Sequence, residues 1–156
     1  MKPTLRTQKT GYDCGPVAVY NAHVLAGLKP MSLSKLKKIL ETDKDGTDEM
    51  LMSYYIAFRS RSGRELYGLP LQIALSMLSN KDILILGYEL ETMGHYVAIA
   101  MKNGKLRAYN WAPDHVVEKK SFKKLKKSAI ISEKWLEEKL NSEGVETYTI
   151  VRDNAW

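Results

Sequence analysis

Apolar residues recur along the first half of this chain at the spacing of one helical face, and along the second half in the runs and alternations of strands. Val17, Tyr20, Val24 and Leu28 fall three or four apart, which predicts a central helix over residues 16 to 27. Ser32 is placed to cap a second helix with Leu33, Leu36 and Leu40 on one face and lysines on the other. Thr47 is expected to cap a third, Asp48 to Arg59, with acidic residues in its first turn and Gly63 in the loop beyond. Leu71 to Leu78 follows Pro70 as a short helix. The period then changes. Ile83 to Tyr88 is a continuous apolar run of buried-strand type, and His95 to Met101 and Lys105 to Asn110 flank Asn103-Gly104, a strong hairpin signal. Ser132 to Leu140 predicts a further helix and Val145 to Val151 a last strand rich in β-branched residues. Helices in front and a mostly antiparallel sheet behind make an α+β fold, expected as one domain over residues 1–156.

The hairpin sets a register. With Asn103 and Gly104 as the turn, Lys102 pairs with Lys105 and Asn110 lies across from Val97. Side chains alternate by two, so His95, Val97, Ile99 and Asn110 project from one face while Trp111 points the other way. His95 and Asn110 become diagonal neighbours about 7 to 8 Å apart at the backbone.

Composition narrows the setting. A chain of 156 residues can bury a core unaided. Its single cysteine excludes an internal disulfide framework and a multi-cysteine zinc site, which fits a reducing compartment; no metal or other cofactor is expected. The first residues lack a signal-peptide core and no stretch has the length of a membrane span, from which a cytoplasmic protein is expected. The net charge of +6 owes much to Glu118 to Lys127, where Phe122, Leu125 and Ala129 fall at helical spacing. That pattern predicts a surface helix with a solvated basic face. Such a face, Lys119 to Lys127, could also contact nucleic acid, an anionic surface or acidic substrate segments, although no stacking aromatics accompany it. Tyr54, Tyr55, Phe58 and Trp135 read as core packing at helical spacing.

The cysteine itself carries the chemistry. Cys14 lies in Gln8-Lys-Thr-Gly-Tyr-Asp13-Cys14-Gly15-Pro16, at the entrance of the first helix. Amide N–H groups and the dipole at a helix N-terminus favour thiolate, the attacking form of sulfur. Pro16 suits a first turn, and Gly15 keeps bulk away from the sulfur. Asp13 opposes ionisation and fits better as a cap or brace for the loop. A base must come from three histidines. His23, nine residues on, sits on the far side of the same helix. His115 follows Pro113 in an expected loop. His95 opens a strand beside an apolar run, where a base can be both held and reached, and the Asn110 amide oxygen could hold one of its nitrogens.

These residues resemble the papain-like cysteine peptidases, in particular the small double-glycine-leader peptidase-like branch that includes bacteriocin-processing domains. The resemblance runs from Gln8 and Asp13-Cys14-Gly15-Pro16 through Gly46-Thr47, Leu69-Pro70-Leu71 and Lys81-Asp82-Ile83-Leu84-Ile85. It continues in Gly94-His95-Tyr96-Val97-Ala98-Ile99 and in Asn110-Trp111-Ala112-Pro113. It implies a papain-like fold and hydrolysis of peptide or isopeptide bonds in a peptide or protein substrate. Cys14 would be nucleophile, His95 general base and then acid, and Gln8 an oxyanion-hole donor beside the Cys14 N–H. Many members have Asp-Pro near the strand end, so the third member is Asn110 or Asp114; the register favours Asn110. An imidazolium at His95 would keep Cys14 ionised near neutral pH. An amidase or acyl transferase could use the same site, and a non-catalytic binding module with the basic helix as its contact surface is the reading from a different class.

Overall fold

In the computed structural model, residues 3–60, 62–90, 94–112 and 125–151 are described. Six strands form one sheet in the order β1-β6-β2-β3-β4-β5, and every neighbouring pair is antiparallel. They are β1 Gly63–Leu66, β2 Ile83–Glu89, β3 Gly94–Lys102, β4 Lys105–Trp111, β5 Lys126–Ile130 and β6 Glu146–Ile150. The helices are α1 Cys14–Leu25, α2 Leu33–Ile39, α3 Glu49–Tyr54, α4 Leu71–Ser79 and α5 Glu133–Leu140. The α+β fold class follows directly.

Helices cover both faces. Strand alternation sends Ile85, Tyr96, Ala98, Ala100, Tyr148 and Ile150 into a core shared with α1, while Leu84, Leu86, Val97, Ile99 and Ala108 pack toward α4 and α5. β2 runs between two such layers, which is why six of its seven residues are buried and its sequence shows no alternation. The first nine residues of α1 are likewise buried, so this helix is enclosed at its front end and carries its first residue, Cys14, into the interior.

The hairpin has the expected register: Lys102 pairs with Lys105 and Ala98 with Tyr109. Asn103 and Gly104 both take positive φ, 53° and 74°, as a type I′ turn requires. Ser32 caps α2 through the Lys35 N–H. Elsewhere the expectations need correction. α1 starts at Cys14, so Pro16 stands third in the helix, still within the turn whose N–H groups need no helical partner. Asp48, with its side chain accepting from Met50 and Leu51, caps α3; the Thr47 hydroxyl instead pairs with Thr42 at 2.8 Å. After Tyr54 the chain continues as a π-helical turn, Tyr55–Arg59. The extra residue per turn shifts the phase of the apolar face, leaving Tyr54 and Phe58 exposed while Tyr55 is buried.

The two outer strands were not expected as such. Gly63 opens β1, which pairs with β6. Lys126–Ile130, read as the end of a basic helix, is β5: it pairs with β4, whose open edge supplies hydrogen-bond partners that a surface helix would leave unused. Asp114, His115 and Lys119 to Lys124 lie outside the described residues. Among the described residues no helix is long and apolar enough to cross a membrane.

Candidate active site

Cys14 and His95 line the same cleft, a cavity of about 350 Å³ at the rim of the sheet. They reach it from different directions. Cys14 is the first residue of α1, packed on one face of the sheet; His95, second in β3, stands edge-on to Tyr88 at 5.8 Å on the other side. Gly11, Gly46, Gly87, Gly94 and Gly144 also line the cleft, so much of its wall is bare backbone.

Both central groups are buried. Cys14 is 7% exposed and His95 2%. Backbone amides of Tyr96, Gly15 and Cys14 face the sulfur and favour its ionisation, but burial outweighs them, with Asp13 adding to the rise, and the thiol is pushed up to about 11. Burial likewise pulls the imidazole down to about 4, against the opposing pull of the Asn110 carbonyl. Loss of hydration penalises both ions and so works against the expected thiolate–imidazolium pair. Among the described residues no hydrogen bond joins the thiol to the imidazole.

Asn110 holds His95, but not by its side chain. His95 Nε2 lies 2.7 Å from the Asn110 main-chain oxygen. A carbonyl only accepts, so Nε2 carries the proton and Nδ1 of the neutral ring keeps its lone pair. The carboxamide turns away because Asn110 adopts a left-handed backbone, φ 61°, which interrupts the strand's alternation. Its Oδ1 accepts from the Gln8 N–H at 3.0 Å, and its Nδ2 donates to Gln8 Oε1 at 2.7 Å. Two buried side chains 102 positions apart in sequence are thus joined, fixing the loop before Cys14 to the end of β4. Gln8 Nε2 donates one hydrogen to the Thr10 carbonyl at 2.7 Å. Gln8 itself is not among the residues lining the cleft.

Asp13 does not cap α1. Its carboxylate pairs with Lys37 of α2 at 3.1 Å, bracing the loop against the neighbouring helix. His23 is engaged away from Cys14, donating from Nδ1 to Val19 O at 2.8 Å and accepting at Nε2 from the Ser60 hydroxyl at 3.2 Å.

Three residues not singled out from sequence build the floor of the cleft. Tyr96, Gly87 and Glu146 are direct neighbours across β3, β2 and β6. Because Gly87 has no side chain, the Tyr96 hydroxyl reaches Glu146 across it, donating to the carboxylate at 2.8 Å. Tyr148 donates to the same carboxylate at 2.7 Å and also meets Ser53 at 3.2 Å. Burial, the nearby carboxylate and its hydrogen bond hold the Tyr96 phenol protonated far above its ordinary range. A glycine inside an apolar strand was the one sequence signal for this close approach. Among the described residues no group of three or more histidine, cysteine, aspartate or glutamate side chains could hold a metal ion.

The peptidase domain of Streptococcus ComA, a bi-functional ABC transporter involved in a quorum-sensing pathway, has a similar structure, with a TM-score of 0.60 and 15% sequence identity. The match covers 93% of this chain and 96% of that one. No family model and no curated protein matches the chain. The likeness supports the resemblance drawn from sequence at the level of the fold.

Proposed function

We propose that this chain is a papain-like cysteine peptidase that cleaves peptide or isopeptide bonds through a thioester on Cys14. One observation carries the reading: a thiol ringed by main-chain amides and an imidazole whose Nδ1 has no hydrogen-bond partner among the described residues share one cleft. The likeness of the fold to a peptidase domain adds to it.

In this mechanism the pair starts neutral. As sulfur attacks the scissile carbonyl, His95 Nδ1 takes the thiol proton, so charge develops only when the oxyanion does. The Cys14 N–H is assigned to that oxyanion, where one donor is worth about 2.7 to 4 kcal/mol; the Gln8 Nε2 hydrogen not taken by Thr10 joins it when substrate draws Gln8 toward the cleft, which it does not line at rest. The imidazolium then gives its proton to the leaving amine as the C–N bond breaks. A water, deprotonated by the same Nδ1, attacks the thioester and releases the acid with the thiol restored. Asn110 is a positioning residue whose main-chain carbonyl accepts from Nε2–H throughout, fixing the tautomer of the neutral ring and holding the imidazolium formed from it.

The test is hydrolysis of a diverse quenched-fluorescent peptide set, with mass spectrometry of acid-quenched reactions. Cys14→Ala and His95→Ala should each lower the rate by at least about 10³-fold, and an acyl adduct should map to Cys14. An adduct released only by an added amine would make the protein an acyl transferase. Turnover that survives Cys14→Ala, or no adduct with any peptide, would overturn the proposal.

A further inference from the structure

The Asn110 main-chain carbonyl fixes one atom of the His95 ring, Nε2. One bond does not fix a plane. The torsion that turns an imidazole about its Cβ–Cγ bond is broad, without sharp staggered wells. The Asn110 carboxamide, the group expected to steady the ring, is engaged by Gln8. An imidazole that passes a proton between sulfur, leaving amine and water needs a second contact to keep its orientation through each step.

Tyr88 is placed to supply that contact. It lies directly opposite His95 across β2 and β3, and both residues are only 2% exposed. The two ring planes cross at 87° with 5.8 Å between centroids, inside the range that T-shaped aromatic pairs favour. Tyr88 is held in turn from α5. Trp135 meets it at 5.4 Å and 89°. The Lys139 ammonium, one helical turn beyond Trp135, lies 5.2 Å from the centre of the Tyr88 ring and 5.7 Å from that of Trp135, where a cation is attracted to both. A connected series of side chains thus runs from α5, in the layer opposite α1, to the imidazole in the cleft.

We infer that Tyr88 is a positioning residue of the hydrolytic site: its ring sets the plane of the His95 imidazole, and Trp135 and Lys139 hold Tyr88 in place to do so. This rests on the peptidase reading and adds to it. The contact is made by the ring and uses no hydroxyl, so phenylalanine should serve at position 88 and leucine should not. A neutral ring also holds the imidazole and the imidazolium formed from it alike, whereas a carboxylate in its place would favour the charged form.

The experiment compares wild type, Tyr88→Phe, Tyr88→Leu and Trp135→Leu by steady-state hydrolysis of a quenched peptide that wild type cleaves. Nitrogen-15 spectra of the His95 ring at about pH 7.5 report in parallel which nitrogen carries the proton. Wild type and Tyr88→Phe should show the Nε2–H tautomer and similar rates. Tyr88→Leu should show a second tautomer and a kcat lower by about ten- to hundredfold, the scale of a misdirected reacting group, with KM within about twofold. Trp135→Leu should move both readouts the same way by less. Thermal melts report folding; if Tyr88→Leu does not fold, Trp135→Leu, at a half-buried position, decides by the same two readouts. Wild-type kcat in the leucine variant, a loss of kcat with the ring spectrum unchanged, or equal losses for phenylalanine and leucine would overturn the role of Tyr88 while leaving the peptidase reading intact. A wild type that cleaves no peptide and forms no acyl adduct on Cys14 would overturn both.

Discussion

Replacing Asn110 by alanine should cost about 3 to 7 kcal/mol of folding stability, and the structure says where that sum comes from. The side chain is fully buried and joined twice to Gln8, accepting from its main-chain N–H and donating to Oε1. Truncation leaves a buried donor and a buried acceptor without partners, about 1 to 3 kcal/mol each. Alanine must also hold φ near 61°, adding about 1 kcal/mol that asparagine partly avoids by local hydrogen bonding. A loss of this size is a large share of the roughly 5 to 15 kcal/mol that holds a domain together. Glycine separates the two parts: Asn110→Gly loses the same hydrogen bonds but not the backbone term, so it should be the more stable variant by about 1 kcal/mol. Urea denaturation of wild type, both variants, Gln8→Ala and the double variants measures each quantity, and Gln8 should show strong coupling to Asn110. Since His95 is held by the carbonyl of residue 110 and not by its carboxamide, Asn110→Gly should also retain more hydrolysis than Asn110→Ala at a temperature where both are folded. A loss under about 1 kcal/mol for alanine, or glycine no better than alanine, would refute this account of the Gln8–Asn110 link.

Two further predictions concern the cleft. His95 titrates near 4 in the folded chain and near 6.5 when unfolded, so between those values the unfolded state binds more protons and stability rises with pH. The contribution, at most about 3 kcal/mol, is complete above the unfolded value and lost as pH falls toward the folded one; urea midpoints at about pH 7.5 and 4.5 should differ less for His95→Gln than for wild type. At Gly87, an added Cβ would lie 2.6 Å from Tyr96 Cε1 and 2.9 Å from Cδ1. Gly87→Ala should therefore cost about 1 to 3 kcal/mol by displacing the ring from Glu146, and the cost should largely vanish in a Tyr96→Leu background; thermal melts of the four proteins check this.

Local signals in the sequence were enough for several elements. Asn103-Gly104 dictates its own turn, because both positions need positive φ, and the turn then sets the β3–β4 register. Ser32 caps α2 through a bond only three residues long. β2 was legible because a strand buried on both faces is apolar throughout. Where the outcome hung on a distant partner, local signals failed. β1 and β5 exist because β6 and β4 present free edges, and the helical spacing of Leu125 and Ala129 has no bearing on that. The exposure of Tyr54 and Phe58 follows from a π-helical turn that spacing arithmetic does not foresee.

The site divides along the same line. A cysteine at a helix entrance and a histidine at the head of a buried strand can be picked out from neighbours in sequence, because each depends on its own element. The carbonyl that holds the imidazole, the loss of hydration around the pair, and the reach of Tyr96 over Gly87 to Glu146 could not. Those properties come from burial and from contacts between segments up to 102 positions apart. The amino-acid order by itself determined the α+β class, the hairpin register and which residues could do chemistry, since these are short-range matters of periodicity and turn geometry. Only the packing of α1 and six strands around one rim decided what those residues touch and whether they are ionised, because hydration is lost, and left-handed backbone is stabilised, by neighbours that only the fold brings together.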